Sequence, residues 1–151
     1  MKITLIYFLI LISFIKTTPK NDFQKIIGDW QLYEFYYDGK NKLNLEHYAD
    51  CEKKETLQFK DSIYKNITYS SFGTKCFKEI NTSKYKITND YNSGKNEWEY
   101  IIKVRFKGQY LDLIIIELND SILKIGTKNH PSLKDFNQIK TYKKTKKSNS
   151  K

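Results

Sequence analysis

The sequence predicts an all-β domain: an eight-stranded antiparallel up-and-down barrel with one or two short helical turns. Three observations lead there. Apolar and polar residues alternate along most of the chain, which is the period of half-buried strands. Short polar turns separate the alternating runs, making neighbours in sequence neighbours in space. Helical spacing is scarce, and strands with one wet face belong to an antiparallel sheet or barrel.

Taken in order, Phe23 to Ile27 suits one short helical turn with Asp22 as its cap. Eight strands follow: Trp30 to Tyr37, Thr56 to Lys60, Ile63 to Tyr69, Phe77 to Ile80 continued by Tyr85 to Ile87, Trp98 to Phe106, Tyr110 to Leu118, Ile122 to Thr127, and Gln138 to Tyr142. The clearest stretch is Glu97 to Phe106. It sets Trp98, Tyr100, Ile102, Val104 and Phe106 on one face and Glu97, Glu99, Lys103 and Arg105 on the other, and only Ile101 breaks the pattern. Lys60-Asp61-Ser62, Lys107-Gly108-Gln109 and Asn119-Asp120-Ser121 read as tight hairpins. Tyr91 to Asn96 is a longer polar turn, Asp38 to Asp50 the longest irregular stretch, and Pro131 to Phe136 a second candidate helical turn. Closing such a meander into a barrel removes its edges. Eight strands then enclose an interior that side chains fill or that holds one small ligand.

Ahead of the domain, Met1-Lys2 and the apolar run Ile3 to Ile15 have the form of a secretory signal. The run is short of the roughly 20 apolar residues that span a bilayer. The expected organisation is a signal peptide over residues 1–20, a barrel domain over 21–142 and a basic, disordered tail over 143–151. Export to the periplasm or the exterior is the expected location. No cysteine ends the apolar run, so no stable membrane anchor is expected after signal cleavage. The formal charge of +10 is concentrated at the two ends, and between 21 and 142 nineteen basic residues face seventeen acidic ones. A nucleic-acid-binding domain carries its basic residues as a patch on folded structure, so nucleic acid is not an expected partner.

Ile27-Gly28-Asp29-Trp30 follows the first helical turn and heads the first strand; Cys51 to Phe59 reads CEKKETLQF, and Ile115 to Ile125 reads IIELNDSILKI. In these stretches the chain resembles lipocalins, and especially the lipocalin-like domains of small secreted bacterial proteins. The resemblance covers most of the chain beyond the signal, most thinly between Thr82 and Asn96. Its G-x-W motif implies that Gly28 lets the chain turn tightly against the barrel floor and that Trp30 plugs the closed end. It also implies a basic residue stacked on that indole, here Lys140 or Lys143.

Two cysteines in an exported chain are expected to form a disulfide. A bridge between Cys51 and Cys76 would be worth roughly 3–3.5 kcal/mol through the loop it closes. A zinc site built from His47, Cys51 and Cys76 lacks a fourth ligand, so no metal is expected. With only His47 and His130, and no nucleophile motif, no catalytic residue is assigned and no enzyme is expected. The closest approach to a buried acid is Glu117 or Asp112, because Leu113 to Ile116 is apolar on both faces. Asn66, Asn81 and Asn119 head N-x-[ST] sequons, expected to be unmodified.

Aromatic residues, many of them tyrosine, offer an apolar body with a polar tip. Ligand cavities are mostly apolar with a few convergent polar groups. The expected function is therefore an exported binding protein that holds a small hydrophobic or amphiphilic molecule in its barrel, with no cofactor and no catalysis. Alternation nominates Tyr36, Phe59, Tyr100, Ile102, Val104, Ile114, Ile116 and Leu123 as the cavity wall. The alternative is a protein-interaction or inhibitor module on a solid barrel, with Asp38 to Asp50 and Tyr91 to Asn96 as its contact loops.

Overall fold

The computed structural model describes residues 22–44, 49–127 and 137–145. The expected signal, His47, His130 and the helical turn at Pro131 to Phe136 lie outside them. A 3-10 turn, Asp22–Ile26, precedes β1 (Gly28–Tyr37) and the two-residue β2 (Lys40–Asn41). A helical turn α1 (Ala49–Glu52), absent from the sequence reading, leads into β3 (Thr56–Lys60) and β4 (Ile63–Phe72). Then come β5 (Lys75–Lys84), β6 (Lys86–Asn92), β7 (Glu97–Phe106), β8 (Gln109–Leu118), β9 (Ile122–Thr127) and β10 (Gln138–Lys144). The fold is all-β, a curled antiparallel sheet in the order β5-β4-β3-β1-β10-β9-β8-β7-β6, with β2 pairing β1 beside this path.

The three expected hairpins form. Asp61-Ser62 joins Lys60 to its partner Ile63, and Lys107-Gly108 joins Phe106 to Gln109. Lys107 and Gly108 both have positive φ, the geometry that matches the twist of two strands joined by a two-residue loop. Asn119 Oδ1 accepts from the backbone N–H groups of Ser121 and Ile122, pinning the β8–β9 turn. A fourth hairpin was not read from the sequence. Phe72 pairs with Lys75 across Gly73-Thr74, so β4 and β5 reach well beyond Tyr69 and Phe77.

The two ends of the strand path, β5 and β6, are separated in sequence by Tyr85 alone. Together they form one bent strand. Its first part pairs with β4 and its second part with β7. Side chains extend the second contact back along β5: Asn81 Nδ2 donates to Arg105 O at 3.0 Å, Arg105 N donates to Ser83 Oγ at 3.3 Å, and Lys107 pairs with Glu79 at 3.1 Å. The Tyr85 backbone N–H donates to Ser62 O and its hydroxyl to Asp61 O, each at 2.9 Å. Counting β5 and β6 as one, the ring has the eight strands that the sequence predicts.

The core is a single cluster that includes Ile26, Trp30, Leu32, Leu57, Phe59, Tyr64, Ile102, Val104, Leu113, Leu123, Ile125 and Tyr142. Two bulges set which residues join it. In β1 the register with β10 shifts between Leu32 and Glu34, and in β8 the register with β9 shifts between Ile115 and Glu117. Each bulge exchanges the two faces for the residues beyond it.

The expected bridge is formed: Cys51 and Cys76 are joined with their Cα atoms 5.4 Å apart, tying α1 to β5. One boundary needs correction. The strand expected to stop at Tyr142 runs to Lys144, so Lys143 and Lys144 belong to the sheet and not to a tail. Lys144 has a partner there: its Nζ donates to Lys25 O at 2.7 Å and lies 5.0 Å from the Trp30 ring centroid.

Candidate functional site

The closed end explains the G-x-W motif. Gly28 sits at φ +138, and an added Cβ would lie 2.7 Å from Lys144 Cε. The positive φ is what calls for glycine, since Lys144 Cε is the far end of a flexible side chain that can shift. Trp30 is fully buried, and its indole N–H donates to Ile26 O at 2.8 Å. The basic residue over the indole is Lys144. Lys140 and Lys143, which the resemblance suggested, lie over Phe35 and Tyr33 instead. These contacts make a floor and offer no ligand site.

Above the floor, β10 presents Lys144, Tyr142, Lys140 and Gln138 on one face, in that order toward the other end. Across the pair, Leu123 faces Tyr142, Ile125 faces Lys140 and Thr127 faces Gln138. Between this wall and β4 lies a cleft of about 200 Å³. Its apolar side is Phe106, Leu111, Leu113 and Ile125; its polar side includes Glu55, Tyr64, Asn66 and Lys140, with Thr68, Thr127 and Gln138.

Glu55 organises the polar side. It immediately precedes β3, and alternation back from Phe59 and Leu57 turns it inward, where it is buried. Its Oε2 accepts from Lys140 Nζ at 2.6 Å and its Oε1 from the Tyr142 hydroxyl at 2.6 Å. A buried carboxylate needs such partners. Lys140 is also held 4.9 Å from the Phe35 ring centroid. Burial, and then the negative charge of Glu55, push the Tyr64 and Tyr142 hydroxyls above the ordinary phenol range, against a smaller opposing effect of Asn66 on Tyr64. Both therefore stay protonated at neutral pH. Asn66 Oδ1 is buried in the wall and meets no donor among the described residues.

None of the eight residues nominated for the wall lines this cleft. Phe59, Ile102, Val104 and Leu123 lie in the packed core beside it. Tyr36 is turned off the inner face by the β1 bulge, since Phe35 now pairs with Lys140 and Tyr36 with Ile139. In β8 the inward residues are Leu111, Leu113 and Ile115, which leaves Ile114 outside the core cluster and Ile116 at the bulge, 40% exposed. Tyr100 lies beside the 3-10 turn, its ring 4.9 Å from Phe23, and shares a separate groove with Ile114 and Ile116. Glu117 and Asp112, the candidates for a buried acid, are both exposed.

A floor of Gly28, Trp30 and a stacked lysine, below an antiparallel barrel, is matched by the family comparison: residues 26–125 fit the lipocalin-like domain. The chain belongs to the lipocalin-like domain family. Neither a curated protein nor a solved structure matches it. The lipocalin-like fold is a barrel scaffold of the kind that typically binds ligands. Its interior here is filled at the floor and open around Glu55.

Proposed function

We propose that this lipocalin-like protein is an exported carrier that holds a small hydrophobic or amphiphilic molecule in the Glu55 cleft without altering it. The observation that carries the reading is a cleft with one apolar wall, one polar wall and a buried acceptor, Asn66 Oδ1, without a donor among the described residues. A dry cavity of about 150 Å³ takes up benzene, so this cleft suits one ring or a short acyl segment, with any longer tail leaving by the mouth. The Lys140 ammonium and the Glu55 carboxylate answer each other, which leaves no spare charge among the described lining residues to attract an ionic head. Asn66 calls for a donor, so a hydroxyl-bearing head fits better than a carboxylate.

Thermal shift with matched pairs, a fatty alcohol against the fatty acid of equal length, tests this reading. The alcohol should raise the melting temperature more, and Asn66→Leu should remove the difference. Equal shifts, or none from either compound, would count against it.

One observation favours a second reading, the interaction module. Tyr91 and Trp98, half exposed or more, stack edge to face on the β6–β7 hairpin that carries the Tyr91 to Asn96 loop. Stoichiometric capture of one protein from the native envelope, lost in Trp98→Ser, would support that reading over the carrier.

A further inference from the structure

The β4–β5 hairpin carries aromatic surface that the barrel does not use. Phe72 is 79% exposed and Phe77 53%, and their rings meet edge to face with centroids 6.5 Å apart. Both lie on the face that bounds the cleft. β4 and β5 pair without a bulge from Ile63↔Lys84 to Phe72↔Lys75. Tyr64, Asn66, Thr68, Ser70 and Phe72 therefore share one face, and Phe77, opposite Ser70, joins them. Thr68 is in the cleft wall. Phe72 stands four residues further out, about 13 Å along the strand. The pair forms an outer lip to the cleft.

The charge around this lip is mainly positive. Lys75 and Lys78 are exposed on the hairpin, and Lys53 and Lys54 are exposed on the segment after α1. The Cys51–Cys76 bridge holds that segment against β5, with Lys54 Nζ 3.8 Å from Cys76 Sγ. Among the described residues the acids nearby are Asp50, Glu52 and Glu79, and Glu79 is paired with Lys107.

Area and shape decide the kind of partner. Two aromatic side chains bury at most about 400–500 Å², short of the roughly 800 Å² per partner of a stable protein interface. They project beside a two-residue turn, a shape suited to insertion. Rings entering the headgroup boundary of a bilayer, with lysine ammoniums left among lipid phosphates, match this arrangement. We infer that the β4–β5 hairpin is a docking edge for an anionic lipid surface and brings the mouth of the cleft against the bilayer. Docking needs no occupant in the cleft, so it stands or falls separately from the carrier reading.

The test reads the hairpin itself. In the full-length chain, Phe72→Trp places an indole at the lip, and its emission is compared with the unsubstituted chain on vesicles of phosphatidylcholine with and without phosphatidylglycerol. Docking predicts a shift to shorter wavelength and quenching by brominated lipid only with the anionic vesicles, beyond any change in the unsubstituted chain. Adding Lys75→Glu and Lys78→Glu should weaken the response more than about tenfold. An F72W indole that stays water-exposed would overturn the inference, even if the chain sediments with vesicles through its N-terminal apolar run. So would a shift that appears without vesicles together with a doubled mass, which would place a second copy on the hairpin. Ligand uptake by F72W, measured without vesicles, should be unchanged, so failed docking and failed binding are told apart.

Discussion

The Glu55 carboxylate takes hydrogen bonds from two residues of one strand, Lys140 and Tyr142 of β10, reached across β1. Removing the lysine leaves the carboxylate with one donor in a buried setting. Lys140→Met should therefore lower unfolding stability by about 2–3 kcal/mol, below the roughly 3–5 of a fully buried pair because the lysine is partly open to solvent. Urea unfolding reads this directly. The raised hydroxyls of Tyr142 and Tyr64 give a pH signature. The folded protein keeps their protons above about pH 10, where the unfolded chain releases them, so stability falls as pH rises through that range and toward the folded values. Each group contributes a slope of up to about 1.4 kcal/mol per pH unit. Tyr142→Phe should begin less stable at pH 9 and fall less steeply to pH 11; parallel curves would show that the hydroxyl is not held in its protonated form. Glu55 was legible in principle, two positions before Leu57 on the alternating face. It was hidden by the charged run Glu52 to Glu55, which has the composition of a solvated loop.

At the scale of elements, period and turn chemistry carried most of the fold. β3 and β9 have the bounds that alternation predicts, since tight turns or a charged run frame them. The inner face was less legible. A bulge adds one residue without leaving a mark in composition, so Tyr36 and Ile116 were placed by an alternation that the strands do not keep. The β4–β5 hairpin escaped for another reason: Ser70, Ser71, Gly73 and Thr74 look like loop, and their strand pairing comes from the partner across the ladder. The disulfide ties this hairpin to α1. Replacing Cys51 and Cys76 by alanine should cost about 3 kcal/mol in unfolding stability, measured in urea with the cleft ligand absent. A cost under about 1 kcal/mol would mean that the loop between them is already constrained in the unfolded chain.

For the molecule as a whole, the lipocalin-like barrel is packed at its Trp30 floor and has a polar-lined opening around Glu55, flanked by an aromatic lip. Composition leads to the expectation of no nucleic-acid partner, because the charge excess lies toward the ends of the chain. No helix among the described residues is long and apolar enough to cross a membrane. The cleft itself could not be read from the sequence, because it is made by five strands and the segment before β3, whose meeting depends on closure and on two bulges. Its central claim is occupancy. Native mass spectrometry of the protein taken from its own source, before any contact with organic solvent, tests this most directly. A carrier should show a bound mass that is released on collisional activation and is lost when Asn66→Leu and Lys140→Met are combined. A chain that flies only at its own mass, and gains nothing when offered fatty alcohols, fatty acids, retinoids, haem or isoprenoids, would contradict the carrier account.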